Sequence, residues 1–237
     1  MPRKSILLAA LLLLSVAGFQ PARAQADDDR KFEVGGQFSL LRVPTYSITQ
    51  GLIVCLNPPC PSSLFFEDGG DKNEPGFGGR FGYNFNRYFA LEAEANFFPR
   101  DRVFEGGSKT QLIAGAKAGK RFKGVGLFGK ARPGFMRFSQ GDFRPGPNAC
   151  PAVFPPLLSC FQSEAKTNFA LDLGGVVELY PSKKTIVRFD VGDTMIFFGD
   201  RLVALSNQNN PPSAVVLPRG SETTHNFQFS AGFGFRF

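Results

Sequence analysis

The last eleven residues of the chain, Phe227–Phe237, read FQFSAGFGFRF. Apolar residues occupy nearly every second position in this stretch, and small or polar residues lie between them. Because successive side chains of a β-strand point to opposite faces of the sheet, the stretch predicts a strand with one apolar and one polar face. Seven further segments alternate, at 32–40, 77–85, 89–97, 111–118, 125–138, 168–179 and 187–191. The segment 125–138 is the least regular, because Phe128 falls on the polar side and Pro133 interrupts it. The chain is therefore predicted to be all-β, with eight strands of roughly ten residues each.

The connections between these segments differ in length. Three short turns are predicted, at 86–88, 121–124 and 181–184. Four longer loops are predicted, at 43–74, 99–107, 139–164 and 198–222. Short turns at one end and long loops at the other are typical of an antiparallel, up-and-down transmembrane β-barrel in a bacterial outer membrane. The sequence therefore predicts an eight-stranded barrel of this kind.

The apolar face of the predicted strands is expected to point outward. It carries many of the chain's 28 Phe, and a barrel of eight strands is too narrow to enclose that bulk. The polar face is rich in Gly and its charges balance, as a tightly filled interior requires. The predicted luminal charge network consists of the acids Glu33, Glu92, Glu94, Asp172, Glu178 and Asp190 and the bases Arg80, Lys117, Lys130, Arg132, Arg188 and Arg236. The alternative is that these charges lie on a solvated outer surface.

The C-terminal stretch resembles the terminal strand of bacterial outer-membrane barrels, which commonly end in Phe after alternating aromatic or apolar residues. Phe233, Phe235 and Phe237 match that pattern. The chain as a whole resembles the small OmpA/OmpX-like outer-membrane β-barrel domain family. This resemblance implies that the last strand is the assembly signal read by the barrel-assembly machinery. It also implies that outer-membrane lipid surrounds the barrel.

Residues 1–24 have the features of a cleaved signal peptide. Arg3 and Lys4 give a positive start, Ile6–Val16 is an apolar run, and Ala22-Arg23-Ala24 fits a small-x-small cleavage site. We expect cleavage after Ala24, with Ala24-Gln25-Ala26 as the alternative site and a retained N-terminal anchor as the alternative outcome. The mature barrel domain would then cover 25–237. The expected location is the bacterial outer membrane, after export through the inner membrane.

The distribution of charge and hydropathy excludes two other classes of protein. The net charge is +7, but Lys and Arg are spread along the chain and never form a run of five, so we expect no nucleic-acid partner. No segment has 18 or more consecutive apolar residues, so no transmembrane helix is predicted. A membrane location therefore requires a closed barrel, because lipid cannot satisfy open backbone polar groups. A closed barrel needs no partner subunit, so we expect a monomer.

The four cysteines form two local pairs, Cys55 with Cys60 and Cys150 with Cys160. An exported chain favours disulfides, and local pairing is the preferred one of three connectivities because each pair lies within one predicted loop. A zinc site is the alternative. Neither pair has a neighbouring His, since His225 is the only His in the chain. We therefore expect no metal and no cofactor.

Three functions fit such a barrel. The first is a non-enzymatic structural or surface-binding scaffold, because side chains fill the interior of an eight-stranded barrel and leave the long loops to bind an unknown extracellular ligand. The second is a narrow porin-like channel for ions or small solutes. In a channel, Glu92, Glu94, Lys130 and Arg132 would set the selectivity.

The third function is a lipid A-modifying enzyme. Some outer-membrane barrels of similar size hydrolyse lipid A with a His-x-Ser pair on their lipid-facing side. Here the sequence reads His225-Asn226-Phe227, so the Ser is absent, and Thr223 on the same face is a weak substitute. We therefore expect His225 to be an interfacial anchor and the protein to have no catalytic residues.

Overall fold

A computed structural model describes residues 30–48, 66–147, 158–207 and 213–237. The predicted signal peptide and Cys55, Cys60 and Cys150 lie outside these residues. Within them are ten strands and two short 3₁₀ helices, Val103–Glu105 and Leu158–Cys160. The strands are β1 (Phe32–Ile48), β2 (Phe66–Asn84), β3 (Phe89–Phe98), β4 (Lys109–Arg121), β5 (Val125–Pro145), β6 (Phe161–Leu179), β7 (Thr185–Phe198), β8 (Arg201–Asn207), β9 (Ser213–Arg219) and β10 (Glu222–Arg236). In these four ranges no helix is long and apolar enough to cross a membrane.

Eight of the strands form a closed antiparallel barrel. Strands β1 to β7 pair in chain order, and β7 then pairs with β10. The barrel closes where β10 pairs with β1, with Arg236 opposite Glu33 and Ala231 opposite Phe38. Closure leaves these eight strands without a free edge. The prediction of an eight-stranded up-and-down barrel is confirmed.

The two ends of the barrel differ in their connections. Residues 85–88, 122–124 and 180–184 form tight turns at the end where β1 starts and β10 finishes, which we call the turn end. The longer connections lie at the opposite end, which we call the loop end. Several strands extend beyond the predicted segments here, so parts of 43–74 and 139–164 are strand rather than loop. Polar residues lie on both faces of these extensions, so the alternation of apolar and polar residues that indicates a strand is not visible there.

The two remaining strands, β8 and β9, form a hairpin. This hairpin lies within the segment 198–222, which the sequence predicts as a loop. The end of β8 adds to β1 in parallel, with Ser206 opposite Ser47 and Asn207 opposite Ile48. Ala204 and Val216 of the hairpin pack with Phe143 of β5. The hairpin therefore folds against the loop end of the barrel, and the prediction of a loop is wrong at this place.

Burial alternates along the barrel strands. In β3, FALEAEANFF, every second residue is buried, with Glu92 and Glu94 inside and Leu91 outside. The large exposed side chains of the outer face are mostly Phe. The apolar face therefore points outward, as the bulk of its Phe residues predicts.

The outer face carries aromatic clusters near both ends. At the turn end, the Phe32 ring lies 5.3 Å from Tyr83 and 6.4 Å from Phe237, centroid to centroid. Towards the loop end, the Phe169 ring lies 6.2 Å from Phe135 and 5.5 Å from Phe197. Aromatic girdles at two levels are a feature of barrels that cross a membrane.

Candidate functional site

The interior of the barrel gathers the charged residues that the sequence assigns to its polar face. All twelve predicted network residues are buried, with at most 6% of any residue exposed. They occupy the half of the lumen nearest the turn end. Since charge buried without a partner is costly, their ion pairs determine what this half can do.

Lys117 lies at the centre of three carboxylates. Its Nζ atom is 2.9 Å from Glu92 and 3.6 Å from Glu33, and it also contacts Glu178. Those three carboxylates are close enough together to form a cation site. The Lys117 ammonium contacts all three and so supplies the positive charge that a metal ion would bring.

Two arginines join the remaining acids. Arg188 donates to Glu92 at 2.8 Å from Nη2 to Oε2 and to Asp190 at 2.7 Å from Nε to Oδ2. Arg132 donates to Glu94 at 2.6 Å from Nη1 and to Asp172 at 2.8 Å from Nε. These multiple bonds to charged groups are the strong class of hydrogen bond, and they fix the carboxylates in place.

Three members of the network lie at its edges. Lys130 Nζ is 3.0 Å from Asp172, and Arg236 Nε is 3.2 Å from Glu33. Arg80 is buried, but neither of its terminal nitrogens has a hydrogen-bond partner. The structure thus brings eleven of the twelve residues into ion pairs and leaves Arg80 without one among the described residues.

Arg121 joins this cluster although the sequence places it in a turn. Its Nη2 atom is 3.1 Å from Glu33 and 2.6 Å from Asn84 Oδ1, and its Nε donates to the Tyr180 hydroxyl at 3.0 Å. Arg121 is the last residue of β4 and follows Lys117 by four positions, so it lies on the same inward face. The even spacing from Lys117 is the sequence feature from which Arg121 could have been assigned to the inward face.

A layer of uncharged polar side chains lies above the charged half. Asn96 donates to Gln111 at 2.7 Å, and Gln111 donates to Gln228 at 3.0 Å. Gln37 reaches Asn96 at 2.9 Å, so amides from β1, β3, β4 and β10 form a chain across the lumen. Such a network fills space, and each of its amides makes at least one hydrogen bond, while Gln37 Oε1 has no partner among the described residues.

The lumen beyond this layer is apolar, which the prediction of a polar interior did not include. Leu41, Phe98, Met136 and Ile196 are at most 1% exposed and pack together. Their neighbours in the cluster are Val43, Phe138 and Ala170, with Phe198 packed against it. These residues lie on the inward face of strands whose inward positions nearer the turn end are polar. Their spacing of two residues could have assigned them to the inward face. The same spacing does not indicate that inward side chains change from polar to apolar towards the loop end.

A buried ion pair lies close to the apolar layer. Lys109 Nζ is 2.7 Å from both oxygens of Glu74, and both side chains are fully buried. Lys109 also lies over the ring of Phe138, 5.7 Å from its centroid. The alternation of the sequence does not predict this pair, because Glu74 falls within the predicted loop 43–74.

The β8–β9 hairpin is fastened over the loop end by two polar groups. Asp142 accepts from Lys166 Nζ at 2.9 Å and from the backbone N–H of Leu202 at 2.8 Å. Glu222 accepts from Arg201 at 2.5 Å and from Arg219 at 2.6 Å. Partial burial raises the pKa of Asp142, but its hydrogen bonds from Lys166 and two backbone N–H groups outweigh that effect and leave the pKa lowered.

His225 lies on the exposed outer face near the loop end. Its Nδ1 atom is 2.5 Å from Asp193 Oδ2, and Asp193 also accepts from the backbone N–H of Asn226 at 3.0 Å. Thr223 is exposed on the same strand. The pairing with Asp193 satisfies a carboxylate on an outer face that is otherwise largely apolar.

The remaining predicted residues lie apart from the lumen. Phe233, Phe235 and Phe237 are exposed on the outer face of β10. Cys160 is buried in the second 3₁₀ helix, beside the hairpin. The disulfide pairing stays a prediction because the other three cysteines lie outside the described residues.

The chain is similar to one protein family and to several solved structures. A family model described as the outer membrane protein beta-barrel domain matches residues 6–237. Neisserial surface protein A is 13% identical, with 87% of this chain and 97% of that one covered, at a TM-score of 0.48. Ail of Yersinia pestis, solved with the heparin analogue sucrose octasulfate, is 13% identical, with coverage of 87% and 99% and a TM-score of 0.41. The N-terminal barrel domain of Pseudomonas aeruginosa OprF is 12% identical, with coverage of 86% and 97% and a TM-score of 0.40. No curated protein matches.

Proposed function

The chain belongs to the outer-membrane β-barrel domain family, and from this premise we propose that it is a non-enzymatic scaffold whose interior is filled. Its binding surface would then be the loop end, where the long connections and the β8–β9 hairpin lie. The observation that carries the proposal is the packing of the lumen in successive layers. Charged residues, amides and apolar side chains follow one another from the turn end to the loop end.

Each layer opposes the passage of ions for a different reason. In the charged layer the carboxylates are held by arginines and lysines. The residues that would set selectivity in a channel are therefore already paired, Glu92 and Glu94 with Arg132, and Lys130 with Asp172. In the apolar layer an ion would lose its hydration without gaining a partner, which costs many kcal/mol. The scaffold is therefore favoured over the porin-like channel.

The outer-face pair His225–Asp193 is assigned a structural role in this proposal. His225 provides a hydrogen-bonding partner for the Asp193 carboxylate on the outer face. Thr223, the weak substitute nucleophile on the same face, has no hydrogen bond to His225 among the described contacts. An outer-membrane anchor thus accounts for the pair without catalysis.

The route to the membrane is part of the proposal. A signal peptide cleaved after Ala24 would direct export, and Phe233, Phe235 and Phe237 on the outer face of β10 would be read by the barrel-assembly machinery. Local disulfides, Cys55–Cys60 and Cys150–Cys160, would stiffen two of the loop-end connections. The ligand would be an extracellular molecule bound by those connections.

A solute-uptake experiment tests the scaffold against the channel. Purified, refolded protein is placed in liposomes, and swelling is followed in an isotonic solution of a small sugar, with a general porin as the positive control. We expect swelling no faster than in protein-free liposomes. Uptake that increases with the amount of protein would overturn the filled scaffold and support the channel.

A further inference from the structure

The charged half of the lumen contains one more cation than it has carboxylates. Six carboxylates are buried there, and Arg121 adds a seventh base to the six that the sequence predicts. Each of the other bases has at least one carboxylate within 4 Å, as with Lys117, Lys130, Arg121 and Arg236. Arg80 alone has no such partner in the described part of the chain, so the excess positive charge is located at its guanidinium.

The surroundings of Arg80 explain why no side chain pairs with it. The residue opposite on β1 is Gly35, and the residue opposite Gly35 on β10 is Gly234, so neither strand offers a side chain at this level. On β3 the opposite residue is Glu94, whose oxygens accept from Arg132 and from Asn96, both at 2.6 Å. The carboxylate nearest in register is therefore engaged elsewhere.

Further charges act on Arg80 through space. They are the like charge of Arg188 and the carboxylates of Asp190, Glu178 and Glu92. All three carboxylates have partners of their own, since Arg188 contacts each of them. Arg188, which these three carboxylates surround, repels Arg80 and so opposes their attraction for it.

A buried guanidinium has few ways to be stabilised. Arg cannot lose its proton in a protein, so Arg80 stays charged although it is only 6% exposed. Both terminal nitrogens of Arg80 lack hydrogen-bond partners, and the donors of a guanidinium lie in one plane and can converge on a single acceptor. An acceptor that also carries one negative charge would neutralise the cluster.

We propose that the lumen binds a small monovalent inorganic anion, of the size of chloride or bromide, at the terminal nitrogens of Arg80. The anion completes the charge balance of the turn-end half, which the protein's own carboxylates leave at a surplus of one cation. The site is a structural anion site and requires no passage through the barrel.

Bromide provides a direct probe. The refolded protein is crystallised in sodium bromide, and the anomalous scattering of bromide is mapped in the wild type and in the Arg80→Met variant. We expect a peak within hydrogen-bond distance of Arg80 in the wild type and its loss in the variant. The control is Arg87→Met, which removes an exposed arginine from the turn 85–88 and should leave the peak unchanged.

A solution measurement keeps the proposal testable if the variant does not crystallise. The thermal unfolding midpoint is measured as bromide replaces gluconate at constant ionic strength. The midpoint should rise with bromide in the wild type and in Arg87→Met, and stay flat in Arg80→Met. If Arg80→Met does not fold, the wild-type crystal decides. A wild-type map without a peak at Arg80, or equal bromide dependence in all three proteins, would mean that water alone solvates Arg80 and would overturn the proposal.

Discussion

The half of the lumen nearest the turns and the half nearest the loops are packed by different kinds of side chain. At the turn end, six carboxylates and six of the seven bases hold the strands together through ion pairs such as Arg188 with Glu92 and Arg132 with Asp172. At the loop end, Leu41, Phe98 and Met136 form an apolar layer beneath the β8–β9 hairpin. The same inward face thus changes from a polar or charged filling to a hydrophobic one along β1, β3, β5, β6 and β7.

This difference shows how the two fillings should respond to mutation. A buried ion pair contributes little net stability, but removing one partner leaves the other charge buried. An apolar layer contributes through the area it hides from water, and a truncation leaves a cavity. The turn-end half should therefore be more sensitive to changes of charge, and the loop-end half to changes of volume.

The largest effect is expected from Arg188→Ala. The change leaves Glu92 and Asp190 without their main partner and should lower the free energy of unfolding by about 3–5 kcal/mol. Urea unfolding of the refolded barrel can be followed by circular dichroism, since the chain has no Trp. The control is Arg144→Ala, whose ion pair with Glu164 is exposed and should contribute under about 1 kcal/mol. Equal losses in the two variants would contradict a turn-end half held by buried charge.

A somewhat smaller effect is expected from Met136→Ala in the apolar layer. Met136 is fully buried, so truncation should cost about 2–4 kcal/mol through lost packing and the cavity that remains. Met136→Leu keeps the volume and should cost under about 1.5 kcal/mol. The same urea titration measures both variants. If the two substitutions cost the same, the layer is not tightly packed.

The charged turn-end half is easier to predict from the sequence than the apolar loop-end half. A charge at an inward phase, as at Glu92 and Glu94, stands out from its apolar neighbours, so the turn-end residues could be assigned by alternation alone. In the loop-end half, apolar residues lie on both faces of a strand and so interrupt the alternation. Phe97 and Phe98, for example, are both apolar although they point to opposite faces. Ion-pair partners such as Glu74 with Lys109 depend on a register between distant strands that no local pattern contains.

The β8–β9 hairpin illustrates the limit of local patterns most clearly. Its position depends on Asp142 of β5, which lies far from Leu202 in sequence and receives its backbone N–H. The segment that contains the hairpin is rich in residues typical of loops, and its pairing partner Ser47 on β1 lies more than 150 residues away. Only the closed barrel brings these segments together.

The smallest effect is expected from Asp142→Asn, which weakens the attachment of the hairpin without altering either filling. Because the pKa of Asp142 is lowered, its carboxylate contributes above the ordinary Asp value of about 3.9, and the contribution is lost as the pH falls through the lowered pKa. At neutral pH the variant should exchange the amide hydrogens of β8 several-fold faster, and the barrel strands should be unchanged. Hydrogen exchange with mass spectrometry measures both regions.

The matched control for the hairpin is Asp71→Asn. Like Asp142, which pairs with Lys166, Asp71 pairs with a base, Arg42, but this pair is exposed and contacts no residue of β8 or β9 among the described contacts. Exchange in β8 should match the wild type in this variant. Faster exchange in both variants would mean that Asp142 has no particular role in fastening the hairpin.

In the proposed scaffold, the charged and the apolar filling together close the lumen. Single-channel recording in planar lipid bilayers tests it most directly, with refolded wild-type protein and with a general porin as the positive control. We predict no current steps above background from the wild type, at either polarity and in either direction of insertion. Discrete, reproducible current steps from the pure wild-type protein would show a continuous path through the charged and apolar layers and would contradict the account.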